Sequence, residues 1–281
     1  EGGTTNHDFT TLNGVTSVVV ATNGGANNNL IDLAANNGIV ISGKNQTTGN
    51  NSNAAQTFGE IDVQGADGAT LAVKLDNTAR ISGKLTVDEL NVTDFSATNQ
   101  SAVRTLNIES AGRRDTTNQI DSIDAERVGT FNFTGTQALT ATINGAANTI
   151  GAPANVTNLV VNGSALAAKL DLTIDSAIVT TVDGTNHSAA FTGTAGATDV
   201  LTFDGDAIVA TGRTTVTGFE TIRFDHIGES DFDASGVSGV TAYEFVETGH
   251  TNNGFFSLNH LRSTETVRIN IDDFGGGHGI A

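Results

Sequence analysis

The 281-residue chain contains no cysteine, no methionine and no tryptophan, and only one proline and one tyrosine. Without cysteine it has no disulfide framework, no thiolate metal site and no cysteine nucleophile. Positive charge is scarce as well. Thirteen Lys and Arg stand against 31 Asp and Glu, giving a formal net charge of −18 and a sequence pI near 4.4. Such a field repels phosphate backbones and anionic lipid, which argues against nucleic acid as a partner. No run approaches the roughly 18 consecutive apolar residues of a membrane span, so membrane insertion is not expected either. The acidic first residue, with no initiator Met and no basic stretch before an apolar one, reads as a mature form or a fragment.

What the chain does have is Gly (33 residues), Thr, Ala and Asn, with only 16% of residues charged. Thr, Val, Ile and Phe in short runs separated by Gly, Asn and Asp are the material of strands and tight turns, not of long amphipathic helices. Such runs occur at Gly14 to Thr22, Gly38 to Ser42, Glu60 to Val63, Thr70 to Leu75, Leu85 to Val92 and Val103 to Ile108. They continue at Thr130 to Phe133, Ala138 to Ile143, Asn158 to Val161, Leu170 to Ile174, Ile178 to Val182, Val200 to Phe203, Thr221 to Phe224, Ala242 to Phe245 and Thr266 to Ile271. This spacing predicts an all-β chain with little helix, elongated, part β-solenoid and part β-sandwich.

The turns leave hairpins and coils both open. Asn-Gly at 13–14, 144–145 and 162–163, and Asp-Gly at 67–68, 183–184 and 204–205, are two-residue hairpin signals. Longer connections such as Asp233-Ala234-Ser235-Gly236 suit the corner of a coil. Asp121 to Arg127, with a capping residue, early acids and a terminal base, predicts one or two helical turns. Towards the carboxyl end a repeat favours stacked rungs. Val216-Thr217-Gly218-Phe219-Glu220-Thr221-Ile222-Arg223-Phe224 recurs as Val237 to Phe245, and more weakly as Leu261 to Ile269.

These residues resemble the bacterial surface-layer (S-layer) proteins exported by type I secretion, relatives of the calcium-binding RTX family. The likeness is carried by Val103 to Gly112, Asn118-Gln119-Ile120 and Val128 to Gly135, which look like that family's strand and turn units. Phe191 to Phe203 looks like its degenerate Gly-rich calcium turn, and Val216 to Phe224 like the strand that follows a Gly-Phe-Glu phrase. The resemblance implies a secreted, calcium-stabilised structural protein that tiles the cell surface as a lattice and performs no catalysis. Copies of itself are the expected partners, with cell-surface polysaccharide as a second. The nonapeptide of the calcium β-roll is nowhere intact: around Asp199, Ala195 and Ala197 stand where glycines belong.

Calcium takes six to eight oxygen ligands, which turns rich in Asp, Asn and Gly supply. The candidate ligands are Asp183, Asp199, Asp204, Asp206, Asp225, Asp231 and Asp233, with Asp62 and Asp67 as lesser ones. A surface of charge −18 that packs on copies of itself faces repulsion that bridging divalent cations would offset. His7, His187, His226, His250, His260 and His278 show no zinc-site spacing, and neither a Gly-x-Ser-x-Gly elbow nor a phosphate loop occurs. Two other classes remain as alternatives: an adhesin or passenger module on a β stalk, and a β-helix enzyme acting on polysaccharide. The expected division is an amino-terminal β domain over 1–95 and an S-layer-like domain over 96–281, with the boundary within Thr93 to Ala102. Thr10 to Ala21 and Thr266 to Ile271 are the candidate strands for joining subunits edge to edge.

Overall fold

A computed structural model describes residues 5–8, 16–21, 29–32, 38–43, 56–64, 70–78, 82–93, 103–125, 128–144, 158–176, 178–179, 188–196, 198–205, 209–210, 213–225, 230–247, 255–271 and 279–280. The first strands are β1 (Thr5–Asp8), β2 (Ser17–Val20), β3 (Asn29–Asp32), β4 (Gly38–Ser42), β5 (Gln56–Gln64), β6 (Thr70–Asn77), β7 (Ser82–Thr93) and β8 (Thr105–Gly112). Next come β9 (Asp115–Asp124), β10 (Thr130–Gly135), β11 (Leu139–Ile143), β12 (Asn158–Leu166), β13 (Leu170–Asp175), β14 (Ser188–Thr192), β15 (Val200–Asp204) and β16 (Val209–Ala210). The last are β17 (Thr214–Thr217), β18 (Thr221–Asp225), β19 (Ser230–Asp233), β20 (Val237–Ser238), β21 (Ala242–Glu247), β22 (Phe255–Asn259), β23 (Thr266–Ile271) and β24 (Gly279–Ile280). No helix among the described residues is long and apolar enough to cross a membrane.

The chain coils. Successive strands alternate between an 11-stranded sheet, in the order β1-β3-β5-β7-β9-β11-β13-β15-β18-β21-β23, and a 9-stranded sheet, β2-β4-β6-β8-β10-β12-β14-β17-β20. Towards the carboxyl end a third sheet, β16-β19-β22-β24, turns the two-sided coil into a three-sided one. All pairings among the described strands are parallel, as stacking of rungs requires. This is the all-β solenoid that the strand rhythm predicts.

Alternation within each strand puts every second side chain inside, and parallel register stacks like on like. In the longer sheet one interior column runs Phe58, Val87, Ile120, Ala141, Leu172, Leu201, Ile222, Tyr243. A second runs Ile61, Leu90, Ile123, Ile143, Ile174, Phe203, Phe224, Phe245. The facing sheet answers with Leu71, Leu106, Phe131, Val161, Phe191, Val216 and Val237. All of these are buried and belong to one continuous apolar core. The 21-residue repeat is one coil of this stack: Val216 pairs with Val237, and Phe224 with Phe245.

Three local expectations turn out differently. Asp121 to Asp124 is the end of β9 and not the start of a helix. Ile120 and Ile123 are both buried because β5, β7 and β9 share a bend, where Phe58 and Ile61, Val87 and Leu90, and Ile120 and Ile123 each stand three residues apart and stack in register. That spacing imitates a helix. Asn162-Gly163 lies inside β12 at a register shift, not in a hairpin; the Asn162 side chain accepts the Ser164 N–H at 3.0 Å, an Asx bend within the strand. Ile178 and Val179 are buried but belong to no strand. Both sheets also run on past position 95: β7 pairs with β9, and β6 with β8.

Candidate functional site

The acidic turns of the carboxyl-terminal half are built by the corners of the coil. Asp199, preceding β15, is fully buried. Its Oδ1 accepts the Leu170 N–H at 2.9 Å and its Oδ2 accepts the Thr194 N–H. The Asp199 N–H in turn donates to Glu220 Oε2 at 2.7 Å. One carboxylate thus ties its own corner to the coil before it, and a second ties it to the coil after. The Gly-Phe-Glu phrase has a physical role here: Gly218 holds φ +70, Phe219 is buried, and Glu220 supplies the acceptor. Gly193 packs so closely on this corner that a Cβ would lie 2.2 Å from the Gly218 carbonyl oxygen.

Asp204 and Asp225 do come together. They are register partners on β15 and β18, and Asp175 on β13 precedes them in the same column. All three are half-buried on the longer sheet, at the rung spacing of roughly 4.8 Å. Asp231 and Asp233 lie two residues apart on β19, in the third sheet, on either side of the buried Phe232. Asp231 Oδ1 accepts from Asn259 Nδ2 at 2.6 Å. Asp233 caps the 3-10 turn Ala234–Gly236 by accepting the Ser235 N–H at 2.8 Å, and its Oδ1 also lies 2.8 Å from His260 Nδ1. The Ser235 amide, with help from His260, holds the Asp233 carboxyl below the usual range. Asp183, Asp206 and Asp67 lie outside the described residues.

A second acidic group was not singled out by the sequence, apart from Asp62. Glu60 and Glu89 are register partners on β5 and β7, and Asp62 and Asp124 flank them. Burial raises the Glu60 carboxyl above the ordinary range and the neighbouring carboxylates raise it further; Glu89 is raised in the same way. Only rung register brings these residues together, because Asp62 and Asp124 are far apart in sequence. Across the same sheet a third column alternates in sign. Arg223 Nη2 lies 3.0 Å from Glu244 Oε2, and Arg268 Nη1 lies 2.7 Å from Glu244 Oε1. Burial pushes the Glu244 carboxyl up, but Arg268 and Arg223 together outweigh it and hold it low.

The carboxylates therefore form columns, not a cage. Among the described residues no three His, Asp or Glu side chains converge closely enough to enclose one metal ion. Neighbours in a column stand at a separation that an oxygen-seeking cation, with ligand distances of about 2.3–2.6 Å, can bridge. A shallow concavity of about 350 Å³ lies between two stacked corners, lined by Ser164 to Ala167 and Thr194 to Gly196. Its walls offer hydroxyl and backbone groups without an acid or a base. The architecture defines an all-β solenoid, a class shared by many functions. No protein-family model, no curated protein sequence and no solved structure matches the chain.

Proposed function

We propose that the protein is a structural, non-catalytic component of a bacterial cell exterior that works by self-association into a surface layer or filament, stabilised by calcium. The observation that carries this reading is the stacking of carboxylates at rung spacing on the outer faces of a continuous coil, Asp175, Asp204 and Asp225 above all. A net charge of −18 makes contacts between copies repulsive unless cations intervene. Calcium enters by joining carboxylates within and between coils, with Asp231 and Asp233 as further donors on the third sheet. The resemblance of Phe191 to Phe203 and Val216 to Phe224 to S-layer proteins supports export to the cell surface. Cell-surface polysaccharide is the second partner in this reading.

The test is electron microscopy and light scattering on the purified chain in millimolar calcium and after chelation. Ordered sheets or filaments that form only with calcium are the expected result. Monomers in both conditions overturn self-association and leave an adhesin-like module as the better reading. Assemblies indifferent to chelation keep the structural role and remove calcium from it.

A further inference from the structure

The two outer faces of the coil differ in charge. On the longer sheet every strand from β13 to β21 sets a carboxylate outward: Asp171 and Asp175, Asp204, Asp225 and Glu244. On the facing sheet β10, β12, β14, β17 and β20 contain no ionisable residue at all. Before them, β6 and β8 add Asp76 and the Lys74–Glu109 pair, closed at 2.8 Å. The outward columns here are amide, hydroxyl and methyl groups in register. One runs Asn107, Asn132, Asn162, Thr192, Thr217, Ser238, and beside it another runs Thr130, Val160, Ala190, Thr215. All of these are exposed or half-buried, and Val160 is one of the few large apolar side chains left open, at 38%. The first column is tied along the coil: Asn132 Nδ2 donates to Asn107 Oδ1 at 2.8 Å, and Thr217 Oγ1 to Thr192 Oγ1 at 3.4 Å.

A net charge of −18 limits which surfaces of two copies can touch. Acidic face on acidic face sets carboxylate rows about 10 Å apart or less, where salt does not screen them fully. Uncharged face on uncharged face keeps three layer spacings between those rows, roughly 30 Å against a Debye length of about 8 Å at physiological salt. The chemistry of the face also matches itself. An Asn amide and a Thr hydroxyl each donate and accept, so a copy of the same face offers every group its complement, while Val160, Ala190 and the Thr methyl groups supply apolar contact. The area suffices as well: strands β6 to β20, at about 4.8 Å each and about 3.3 Å per residue, make a patch of roughly 500 Å², so two copies bury about 1,000 Å², the lower bound for a specific interface.

We infer that the uncharged outer face of the 9-stranded sheet is the docking surface for the same face of a second copy, the two coils lying back to back about a two-fold axis. The contact is isologous and closes at the dimer, and it needs no cation. Both acidic faces of the dimer point outward, where calcium joins one dimer to the next. The inference rests on the self-association reading and divides it into a calcium-independent contact and a calcium-dependent one.

Sedimentation velocity in EDTA at physiological salt, across a concentration series, tests it, with circular dichroism to confirm the fold of each variant. The wild type should be a dimer. Val160→Glu and Thr215→Glu, on separate strands of the face, should each raise the dimer dissociation constant by about tenfold or more. Val160→Lys should do the same although it lowers the net charge, which separates the face from overall repulsion. Thr57→Glu places the same negative charge on β5, at an exposed position of the acidic sheet, and should leave the dimer intact. A dimer that the Val160 and Thr215 variants leave unchanged overturns the inference, and so does a wild type that is monomeric in EDTA at every concentration. A monomer that instead pellets with an insoluble neutral glucan overturns it in favour of a saccharide-binding face. Adding calcium to the same samples tests self-association separately, because assembly from monomers would retain that reading without this contact.

Discussion

Phe224 and Phe245 occupy one position in successive coils and stack with ring centroids 5.2 Å apart and planes 25° from parallel. Phe203 continues the stack below Phe224 at 6.0 Å, and Phe232 and Phe256 reach Phe224 from the third sheet at 5.2 and 4.7 Å. The aromatic column fills the wider interior that a third side creates.

Replacing Phe224 should therefore damage more than one coil. Phe224→Ala removes a ring that four other rings touch, and a loss of about 3–5 kcal/mol is expected. Denaturant titration checks it; a loss below about 1 kcal/mol would mean that the aromatic stack does not hold the three-sided part together.

Asp199 should behave as a structural acid. Asp199→Ala leaves the Leu170 and Thr194 N–H groups unsatisfied in a buried corner, at about 1–3 kcal/mol each. Calcium should not rescue the variant. A thermal melt with and without calcium decides between this role and that of a metal ligand.

Gly193→Ala presses a methyl group against the Gly218 carbonyl and should cost about 1–3 kcal/mol. Gly196, with open space where a Cβ would stand but φ +134, tests backbone strain in the same turn without the collision. Comparing the melting points of the two alanine variants separates the effects, and Gly193→Ala matching the wild type would show that the corner can yield.

Stability should peak on the acid side of neutral. Glu60 and Glu89 have folded pKa values above the ordinary 4.5, so the folded state binds their protons more tightly and stability falls as pH rises from 4.5 through the raised values. Asp233 and Glu244 are depressed, so the stability they contribute persists down to their ordinary values of 3.8 and 4.5 and is lost as pH falls through the lowered ones. Glu89→Gln removes the like charge facing Glu60 and should gain a few tenths to about 1 kcal/mol at pH 7, with the gain vanishing near pH 4. Denaturation midpoints from about pH 4 to pH 8 read both effects; a Glu89→Gln gain independent of pH would rule out repulsion as its source.

Much of the coil was legible in the sequence because its rungs repeat. Val216 to Phe224 and Val237 to Phe245 align in sequence as they do in register, and the second interior column falls mostly on predicted runs. β9 was not legible. It reads Asp-Thr-Thr-Asn-Gln-Ile-Asp-Ser-Ile-Asp, and its buried Asn118 is tolerated only because Leu75 O, Ala111 O and Ser110 Oγ accept its amide hydrogens. Those acceptors come from other strands, so no local pattern announces them. Asp199 was legible as an acid in a Gly-rich turn, but its acceptance of the Leu170 and Thr194 amides was not, because Leu170 belongs to the preceding coil.

By itself the sequence determined that the chain is all-β and acidic and that its strands repeat at coil length, because alternation, turn residues and net charge are local or additive properties. Only the tertiary structure decided that the strands run parallel, that Asp175, Asp204 and Asp225 form one column, that Glu60 meets Glu89, and that Val267 and Ile269 end the core uncovered. Each of these depends on which residues of separate coils share a register, and register is fixed by the packing of the whole stack.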